Sequence, residues 1–344
     1  MAIHGMGPVP SAVLNLTSTY LARRALWRII VSRALAKHAL TFEQSDLLFE
    51  LSDLRQFAPS ASARDPKGYV HLKQLEAALV NSQPYVSRRV KELEKRGFLV
   101  GAKGAKTGLL SKSLKVRLTD AGQQTLKLIA DDYSLIAEGI LAATSEKKRL
   151  SHFRVCQEIC RRIKPPEFLG IATPKEAPPA VQNIMMIFEV ARSLRKPIQE
   201  RTLVGTGLTI EKADLLVILY LENPVFASQR ATEQTEGFVP LANLSESLVH
   251  SISPSKFLVS RWLSEVLKKK QVETRALDSK RKEARITSDG IRLVEPIWRN
   301  YVQLAQELLD GIPDAERDAH REVNQSISLA LRPVWLKGLI LGAT

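Results

Sequence analysis

Two halves of the chain repeat each other, so the fold must be built from two related parts. Four segments of the first half return in the same order in the second half. The pairs are LTFEQSDLLFEL (40–51) with LTIEKADLLVIL (208–219), YVHLKQLEAALV (69–80) with FVPLANLSESLV (238–249), VSRRVKELEKRGFL (86–99) with VSRWLSEVLKKKQV (259–272), and RLTDAG (117–122) with RITSDG (285–290). The third pair is spaced more widely than the other three. The separation between matching segments increases at the third pair and returns to its earlier value at the fourth. This indicates that loops changed length within a duplicated fold.

A proline-rich stretch separates the two copies. The segment KPPEFLGIATPKEAPPA (164–180) holds five prolines, which oppose helix formation and favour an extended tether. A chain of 344 residues is long for one domain and sufficient for two. We therefore expect one domain over 1–163 and a second over 181–337, joined by this linker.

The same series of elements is expected in each copy. A long amphipathic helix comes first, at 14–35 and at 181–194. Thr41 and Thr209 then each precede a helical pattern with an acidic residue two positions later, which predicts a helix start. A short helix near residues 75–80 follows in the first copy.

The first copy continues with a helix after Ser82, which we expect to end at Gly97 because glycine is favourable after a last helical turn. The stretch FLVGAKGAKTGLLSKSLKVRLT (98–119) combines an apolar strand, a glycine-rich basic tip and an alternating strand, so it predicts a β-hairpin. Two long helices follow in each copy. Ser145 is expected to cap the second of them in the first copy, and residues 311–313 form the break in the second copy.

These motifs together resemble a known family. The frame QLEAALVNSQPYVSRRVKELEKRGFL, followed by a basic hairpin and RLTDAG, resembles the MarR family of transcriptional regulators. The second copy, with LVSRWLSEVLKKKQV and ALDSKRKEARITSDG, resembles the same family more loosely, because four extra residues precede its helix. The resemblance implies a mainly α, α+β fold with two tandem winged helix-turn-helix domains, whose DNA-binding lobes span 40–122 and 208–290. Each domain would carry a small β-hairpin wing and long flanking dimerisation-type helices.

Members of this family are homodimers with interlocked terminal helices. Two copies on one polypeptide therefore predict an intramolecular pseudo-dimer, whose recognition helices reach neighbouring major grooves about 34 Å apart. A homodimer of the whole chain is the structural alternative. The resemblance also implies a double-stranded DNA operator as partner, a small-molecule effector as a further partner, and repression of transcription as the commoner outcome.

The helix after Ser82 has the amphipathic build of a recognition helix. Val86, Val90 and Leu93 form an apolar stripe at helical spacing, and the opposite face is polar and basic. Glutamine pairs with adenine and arginine with guanine, at about 1–3 kcal/mol of discrimination per good contact. A solvated surface helix is the alternative interpretation of these charges. The repeat of the pattern and the basic hairpin after it favour DNA.

We predict DNA contacts for both helices and both wings. In the first copy these residues are Gln83, Tyr85, Ser87, Arg88, Arg89, Lys91, Lys103, Lys106, Lys112, Lys115 and Arg117. In the second copy they are Ser253, Ser255, Lys256, Ser260, Arg261, Arg275, Lys280, Arg281, Lys282 and Arg285. The resemblance further implies that Asp278 pairs with Arg281 or Lys282 to shape the second wing.

The charge of the whole chain agrees with this function. Fifty lysine and arginine residues against 36 acidic ones give a formal net charge of +14, which indicates a polyanionic partner. The segment LARRALWRIIVSRALAKHAL (21–40) spreads its basic residues around an apolar stripe, which is more typical of an assembly helix than of a membrane-surface helix. The alternative function is a winged-helix protein that contacts protein or RNA without sequence-specific DNA binding.

The sequence contains no motif of the common enzyme families, such as GxGxxG, GxxxxGK[ST], HExxH or GxSxG. We therefore expect no catalysis, no cofactor and no metal. The six histidines are scattered, at positions 4, 38, 71, 152, 250 and 320. Cys156 and Cys160 lie one helical turn apart, which suits a disulfide poorly, and two cysteines alone do not complete a tetrahedral metal site. Packing is their expected role, with redox sensing as the alternative.

Two further expectations concern effectors and location. Trp27, Tyr133, Phe153 and Trp298 are candidate lining residues for an effector, although aromatic residues at helical spacing more often belong to a core. The N-terminus lacks the build of a secretory signal, and the apolar runs are too short for a membrane span. We expect a cytoplasmic protein.

Overall fold

The computed structural model describes residues 9–52, 68–79, 83–103, 114–163, 179–222, 238–242, 244, 248, 256–278 and 281–330, without the side chains at 77, 78, 83, 103, 114, 256 and 330. These residues form a mainly helical structure with two small antiparallel sheets of three strands each. The expectation of a mainly α, α+β fold is confirmed at this level.

The first half of the chain holds six helices and one sheet within the described residues. The helices are α1 (Ser11–Ile29), α2 (Phe42–Glu50), α3 (Leu72–Leu79), α4 (Gln83–Lys95), α5 (Asp120–Leu141) and α6 (Glu146–Ile163). The strands are β1 (Val70–His71), β2 (Leu99–Lys103) and β3 (Leu114–Leu118), in the order β1-β3-β2.

The second half presents the same order of elements, except that its described residues give no bounds for a counterpart of α3. Its helices are α7 (Pro179–Ser193), α8 (Ile210–Leu221), α9 (Lys256–Lys268), α10 (Ser288–Leu309) and α11 (Asp314–Ala330). Its strands are β4 (Val239–Pro240), β5 (Val272–Ala276) and β6 (Lys282–Ile286), in the order β4-β6-β5. The predicted break at 311–313 therefore lies between α10 and α11.

The repeat extends to unusual backbone conformations near the start of each copy. A π-helical segment begins at Ile30 in the first copy and at Ile198 in the second, with the same spacing that separates Thr41 from Thr209. Ala39 and Gly207 have this spacing too, and both adopt a left-handed conformation, with φ of 51° and 65°. Short π-helical segments are rare, so their recurrence at one spacing supports duplication of the fold.

Thr41 occupies the N-cap of α2, as predicted, and its hydroxyl accepts a hydrogen bond from the Gln44 backbone at 3.2 Å. The Gln44 side chain accepts one in return from the Thr41 backbone at 3.0 Å, which completes a capping box. Thr209 holds the N-cap position of α8. Both predicted helix starts are confirmed.

The helix that precedes each hairpin ends in the same way. Gly97 follows α4 with φ of 75°, and Lys270 follows α9 with φ of 56°. Gly97 reaches this left-handed conformation without a steric penalty because it has no Cβ. The predicted end of the first helix at Gly97 is confirmed, and Lys270 makes the same turn at the equivalent position of the second copy.

Each hairpin connects to the next helix through a threonine. Thr119 accepts a hydrogen bond from the Gly122 backbone at 3.1 Å, and Thr287 accepts one from the Gly290 backbone at 3.2 Å. The two threonine hydroxyls also donate to the carbonyl oxygens of Gly97 and Lys270, at 2.6 Å and 2.7 Å. The recurring motifs RLTDAG and RITSDG therefore join the helix after each hairpin to the end of the helix before it. They join α5 to α4 in the first copy and α10 to α9 in the second.

The two hairpins share one register and differ in the length between their strands. Leu99 pairs with Leu118 in the first, and Val272 pairs with Ile286 in the second. Residues 104–113 join the strands of the first hairpin, whereas residues 277–281 join those of the second. The predicted hairpin is confirmed for its two strands, and its tip lies outside the described residues.

The chain divides into two compact units, and each contains segments from both halves. The first unit comprises residues 1–24 with 194–312, and the second comprises 25–193 with 313–344. In the second unit, α6 packs against α7 and α11. Residues 183–193 of α7 are buried on every side, as expected of a core helix. The domain limits predicted at 1–163 and 181–337 describe the repeat and stay a prediction.

Among the described helices, none is long and apolar enough to cross a lipid bilayer.

Candidate nucleic-acid interface

The helix α4 is held by one apolar face. Val86, Val90 and Leu93 are buried, with at most 1% of each side chain exposed. They pack α4 against α2, α3 and β2. The predicted apolar stripe is therefore confirmed, and it fixes which residues face outward.

The outward face of α4 carries a serine and two basic side chains. Arg88 and Lys91 are exposed, and Ser87 is half-buried. Within the described part of the chain, the structure shows no ion pair for Arg88 or Lys91. Their charges are therefore available to an anion, and a nucleic-acid phosphate or a base edge fits the chemistry.

Arg89 is held inside the protein's own network. Its guanidinium forms an ion pair with Glu92 at 2.8 Å and lies over the Tyr85 ring at 5.3 Å from the centroid. The amide of Gln44 donates a second hydrogen bond to Glu92 at 3.1 Å. The bond from Arg89 lowers the pKa of Glu92, so this carboxylate stays charged. Glu92 was not among the predicted site residues, but a helical spacing of three brings it to Arg89.

The first hairpin, β2–β3, places further basic residues next to α4. Arg117 on β3 is exposed and lies over the Tyr69 ring at 5.2 Å from the centroid. Lys115 on the same strand is half-buried. Lys103 ends β2, but its side chain is not described, and Lys106 and Lys112 lie outside the described residues.

The helix α9 repeats the arrangement of α4. Val259, Leu263 and Val266 are buried, and Ser260 and Arg261 are exposed. These two match Ser87 and Arg88 in the first copy, because VSRW aligns with VSRR.

The exposed face of α9 also differs from that of α4. Arg261 pairs with Glu265 at 3.4 Å, and Glu265 also pairs with Lys212 of α8. Phe257, at the position of Pro84 in the first copy, exposes 76% of its surface. The second face is therefore less strongly basic and more apolar at its start.

In the second hairpin, β5–β6, two guanidinium groups lie over one aromatic ring. Arg275 and Arg285 lie over Phe238, at 4.0 Å and 4.5 Å from its centroid. Arg275 also pairs with Glu283 at 3.0 Å, and Arg285 pairs with Glu273. Phe238 corresponds to Tyr69. In each copy, an arginine of the last strand of the sheet (Arg117 in β3, Arg285 in β6) therefore lies over the aromatic residue that precedes the first strand.

The predicted pair at the tip of the second wing is confirmed. The Nε of Arg281 donates to Oδ2 of Asp278 at 2.6 Å, and the Arg281 backbone donates to Oδ1 at 2.8 Å. Lys282 is exposed. The predicted contacts Ser253, Ser255 and Lys280 lie outside the described residues, and the side chains of Gln83 and Lys256 are not described.

Two of the four candidate effector residues are packed in the protein. Tyr133 is 3% exposed, lies 3.3 Å from the Ser45 hydroxyl and packs against Phe49. Trp298 is 6% exposed and packs against Tyr301. Trp27 and Phe153 are half-buried. The arrangement of Tyr133 and Trp298 is that of core residues.

One buried cluster was not predicted from the sequence. His152, Cys156 and His320 are fully buried, and their possible ligand atoms all lie within 4.8 Å of one another. Two signals were present in the sequence. His152 and Cys156 are four positions apart, so they share a helical face, and His320 follows His152 at the same spacing as Thr209 follows Thr41. This grouping is missed when the two cysteines are considered only as a pair and the histidines only as scattered residues.

Comparisons of this sequence with protein-family models and with curated proteins find no match. Support for a function therefore comes from the geometry of the chain and from the motif resemblance described above.

Proposed function

We propose that the protein is a transcriptional regulator that binds double-stranded DNA through two non-identical winged helix-turn-helix lobes. In this proposal α4 and α9 are the recognition helices, and the β2–β3 and β5–β6 hairpins are the wings. Repression is the expected outcome, by resemblance to the MarR family.

One observation carries the proposal. A serine–arginine pair, Ser87–Arg88 in α4 and Ser260–Arg261 in α9, faces outward at the same position of two helices that are buried by matching stripes. A recognition helix must satisfy both demands, because it inserts polar residues into the major groove while it packs on its own domain. An idle surface helix has no need to keep the same pair in both copies.

The wings support the proposal through their basic strands. Arg117 and Arg285 each stack on an aromatic ring, which holds an extended cationic side chain at the sheet surface. Glutamates pair with Arg275 and Arg285 in the second wing. We therefore expect the first lobe to bind DNA more tightly than the second.

The composition of the compact units supports a pseudo-dimer. The second unit contains α2 to α6 of the first half together with α7 and α11 of the second half. Exchange of long helices between copies is what interlocked dimers of this family would show if their two chains were joined. Because the lobes differ, the operator need not be a perfect palindrome.

Contact with a protein is the second candidate function. Phe257 and Leu258 expose 76% and 38% of their surfaces at the start of α9, and Leu277 in the second wing exposes 52%. Large apolar residues exposed in one lobe favour a protein partner for that lobe.

The test uses the full chain and duplex DNA selected from a random pool. Arg88→Ala combined with Arg261→Ala should weaken binding to the selected duplex by about tenfold or more per arginine, because each base contact contributes about 1–3 kcal/mol. The control combines Arg154→Ala and Arg299→Ala, which remove two exposed charges outside the lobes. Fluorescence anisotropy measures the affinity of each variant. Unchanged affinity in the Arg88 and Arg261 variant would favour the protein-contact function.

A further inference from the structure

Three helices of the second compact unit meet at a buried cluster of metal-binding side chains. His152 and Cys156 belong to α6, His320 and Asn324 to α11, and Asn183 to α7. The Sγ atom of Cys156 lies 3.7 Å from Nε2 of His152 and 3.7 Å from Nδ1 of His320. The two imidazole rings are stacked: their centroids lie 4.8 Å apart and their planes differ by 14°. Each histidine therefore turns one ring nitrogen toward the same sulfur.

The other ring nitrogen of each histidine is held by an amide. Nδ1 of His152 lies 2.8 Å from Oδ1 of Asn183, whose own Nδ2 donates to the Pro179 carbonyl at 2.9 Å. The His152 nitrogen must therefore be the donor, which leaves Nε2 with a lone pair that faces Cys156. Nε2 of His320 lies 3.0 Å from the amide of Asn324. Because Nε2 of His152 carries a lone pair, we assign the Asn324 amide with its nitrogen toward His152 and its oxygen toward His320, so that Nε2 of His320 donates to the amide oxygen. A metal-binding histidine is usually oriented in this way, by a hydrogen bond from its second nitrogen.

The repeat relates the members of this cluster in pairs. The number of residues from His152 to His320 equals the number from Thr41 to Thr209. The same number separates Cys156 from Asn324. A symmetric dimer would carry two identical residues at the second position. The duplicated chain instead holds one cysteine and one asparagine there, so a single thiol lies beside both histidines.

The two sulfur–nitrogen distances are close to those of a zinc site, whereas the three ligand atoms as a set extend to 4.8 Å, so the two histidine nitrogens must move closer together when the ion binds. Zinc binds sulfur at about 2.3 Å and imidazole nitrogen at about 2.0–2.1 Å, which in a tetrahedron places the two ligand atoms about 3.5 Å apart. The two sulfur–nitrogen distances are already 3.7 Å. The Asn324 atom that lies 3.2 Å from Nε2 of His152 is the amide nitrogen in this assignment, and it is not a zinc ligand, so the fourth ligand is a water molecule.

We propose that His152, Cys156 and His320 form a structural zinc site, with a water molecule as the fourth ligand. Binding replaces the thiol proton of Cys156 by a sulfur–zinc bond and releases that proton to solvent, with no change of oxidation state. The ion would join α6 of the first half to α11 of the second half.

Burial decides how the ion enters. His152, Cys156, His320 and Asn324 each expose 0% of their surface. Metal binding is therefore coupled to folding, and the ion is bound as the helices assemble. A test on folded protein alone would miss a site of this kind.

The test refolds the full chain from denaturant with Co²⁺, removes free metal, and measures bound cobalt and the thiolate-to-cobalt absorption. Cys156→Asn is the key variant, because asparagine is the residue that α11 carries at the equivalent position. Cys160→Ser is the matched control, since Cys160 is buried one turn away on the same helix. Asn324→Cys adds a second thiol at the equivalent position.

We expect one cobalt ion per chain with thiolate absorption in the unaltered protein and in Cys160→Ser, and loss of both in Cys156→Asn. Asn324→Cys should increase the thiolate absorption. The melting temperature of the unaltered protein should rise when zinc replaces a chelator during refolding. The proposal is overturned if the refolded protein, shown to be helical by circular dichroism, binds no cobalt. It is equally overturned if Cys156→Asn retains the ion.

Discussion

Gly122 and Gly290 occupy the same place in the two copies, with a backbone carbonyl oxygen where a Cβ would be. A Cβ on Gly122 would lie 2.2 Å from the oxygen of Phe98, and one on Gly290 would lie 2.2 Å from the oxygen of Gln271. These carbonyls also accept hydrogen bonds from the backbones of Thr119 and Thr287, both at 3.1 Å. The helix that follows each hairpin is therefore packed directly on main chain, which leaves no room for a side chain.

Replacement of either glycine by alanine should destabilise the protein. We expect Gly122→Ala and Gly290→Ala each to cost about 1–3 kcal/mol, because the main chain must move to admit a methyl group. Chemical denaturation of each variant measures the change in the free energy of unfolding.

Gly139 is the matched control for this prediction, because it lies within α5 and a Cβ added to it would have no neighbouring atom within 4 Å. Gly139→Ala should stabilise the protein by about 1 kcal/mol, the difference in helix propensity between the two residues. Equal effects of all three substitutions would contradict the close packing at Gly122 and Gly290.

Local features of the fold could be predicted from the sequence. The helix starts at Thr41 and Thr209, the end of α4 near Gly97 and the strands of the first hairpin all depend on residues close together in the chain. Capping threonines, a glycine after a helix and alternating apolar residues act over a few positions, so one sequence is sufficient to recognise them.

Features that depend on which helices meet could not be predicted in this way. The stack of His152 on His320 requires α6 and α11, which come from opposite halves of the sequence, to pack together. Helical periodicity shows that each helix has an apolar face, but it does not identify the partner of that face. The ion pair of Arg89 with Glu92 was within reach of helical spacing, yet the same spacing also suits an outward-facing arginine.

A buried arginine in α7 should be essential for the stability of the second unit. Arg192 is surrounded by carboxylates of Glu189 at 3.0 Å, Glu50 at 3.6 Å and Asp46 at 3.7 Å. Burial disfavours the charged guanidinium, but the three carboxylates outweigh this and raise the pKa of Arg192. Arg192→Met should destabilise the protein by about 3–5 kcal/mol, because it leaves buried carboxylates without their partner.

Arg195 provides the comparison, since it pairs with Glu211 at 3.0 Å but remains 39% exposed. Arg195→Ala should cost less than about 1 kcal/mol, as is usual for a solvent-exposed pair. Thermal and chemical denaturation of the two variants measure this contrast. A loss of similar size in both variants would show that the carboxylates around Arg192 do not depend on its charge.

Lys91 should contribute to DNA affinity through charge alone. It is exposed on α4, so we expect it to contact a phosphate, and Lys91→Ala should weaken binding to specific and unrelated duplexes by the same factor. The slope of log affinity against log salt concentration should fall by about 0.9, the contribution of one neutralised phosphate. Lys127→Ala removes an exposed lysine of α5 and should leave both quantities unchanged.

The tip of the first hairpin should tolerate shortening to the length of the second without loss of the fold. Both hairpins have the same strand register, in which Leu99 pairs with Leu118 and Val272 pairs with Ile286. Only the connecting segments, 104–113 and 277–281, differ in length. Replacement of 104–113 by an uncharged loop of the same length as 277–281 should therefore change the free energy of unfolding by less than about 1 kcal/mol, since loop-closure entropy depends weakly on length. It also removes Lys106 and Lys112, so DNA affinity should fall and its salt dependence should become less steep. Denaturation and anisotropy titrations at several salt concentrations separate the two effects. A large drop in melting temperature would show that segment 104–113 packs on the protein, and unchanged affinity would remove the first wing tip from the DNA interface.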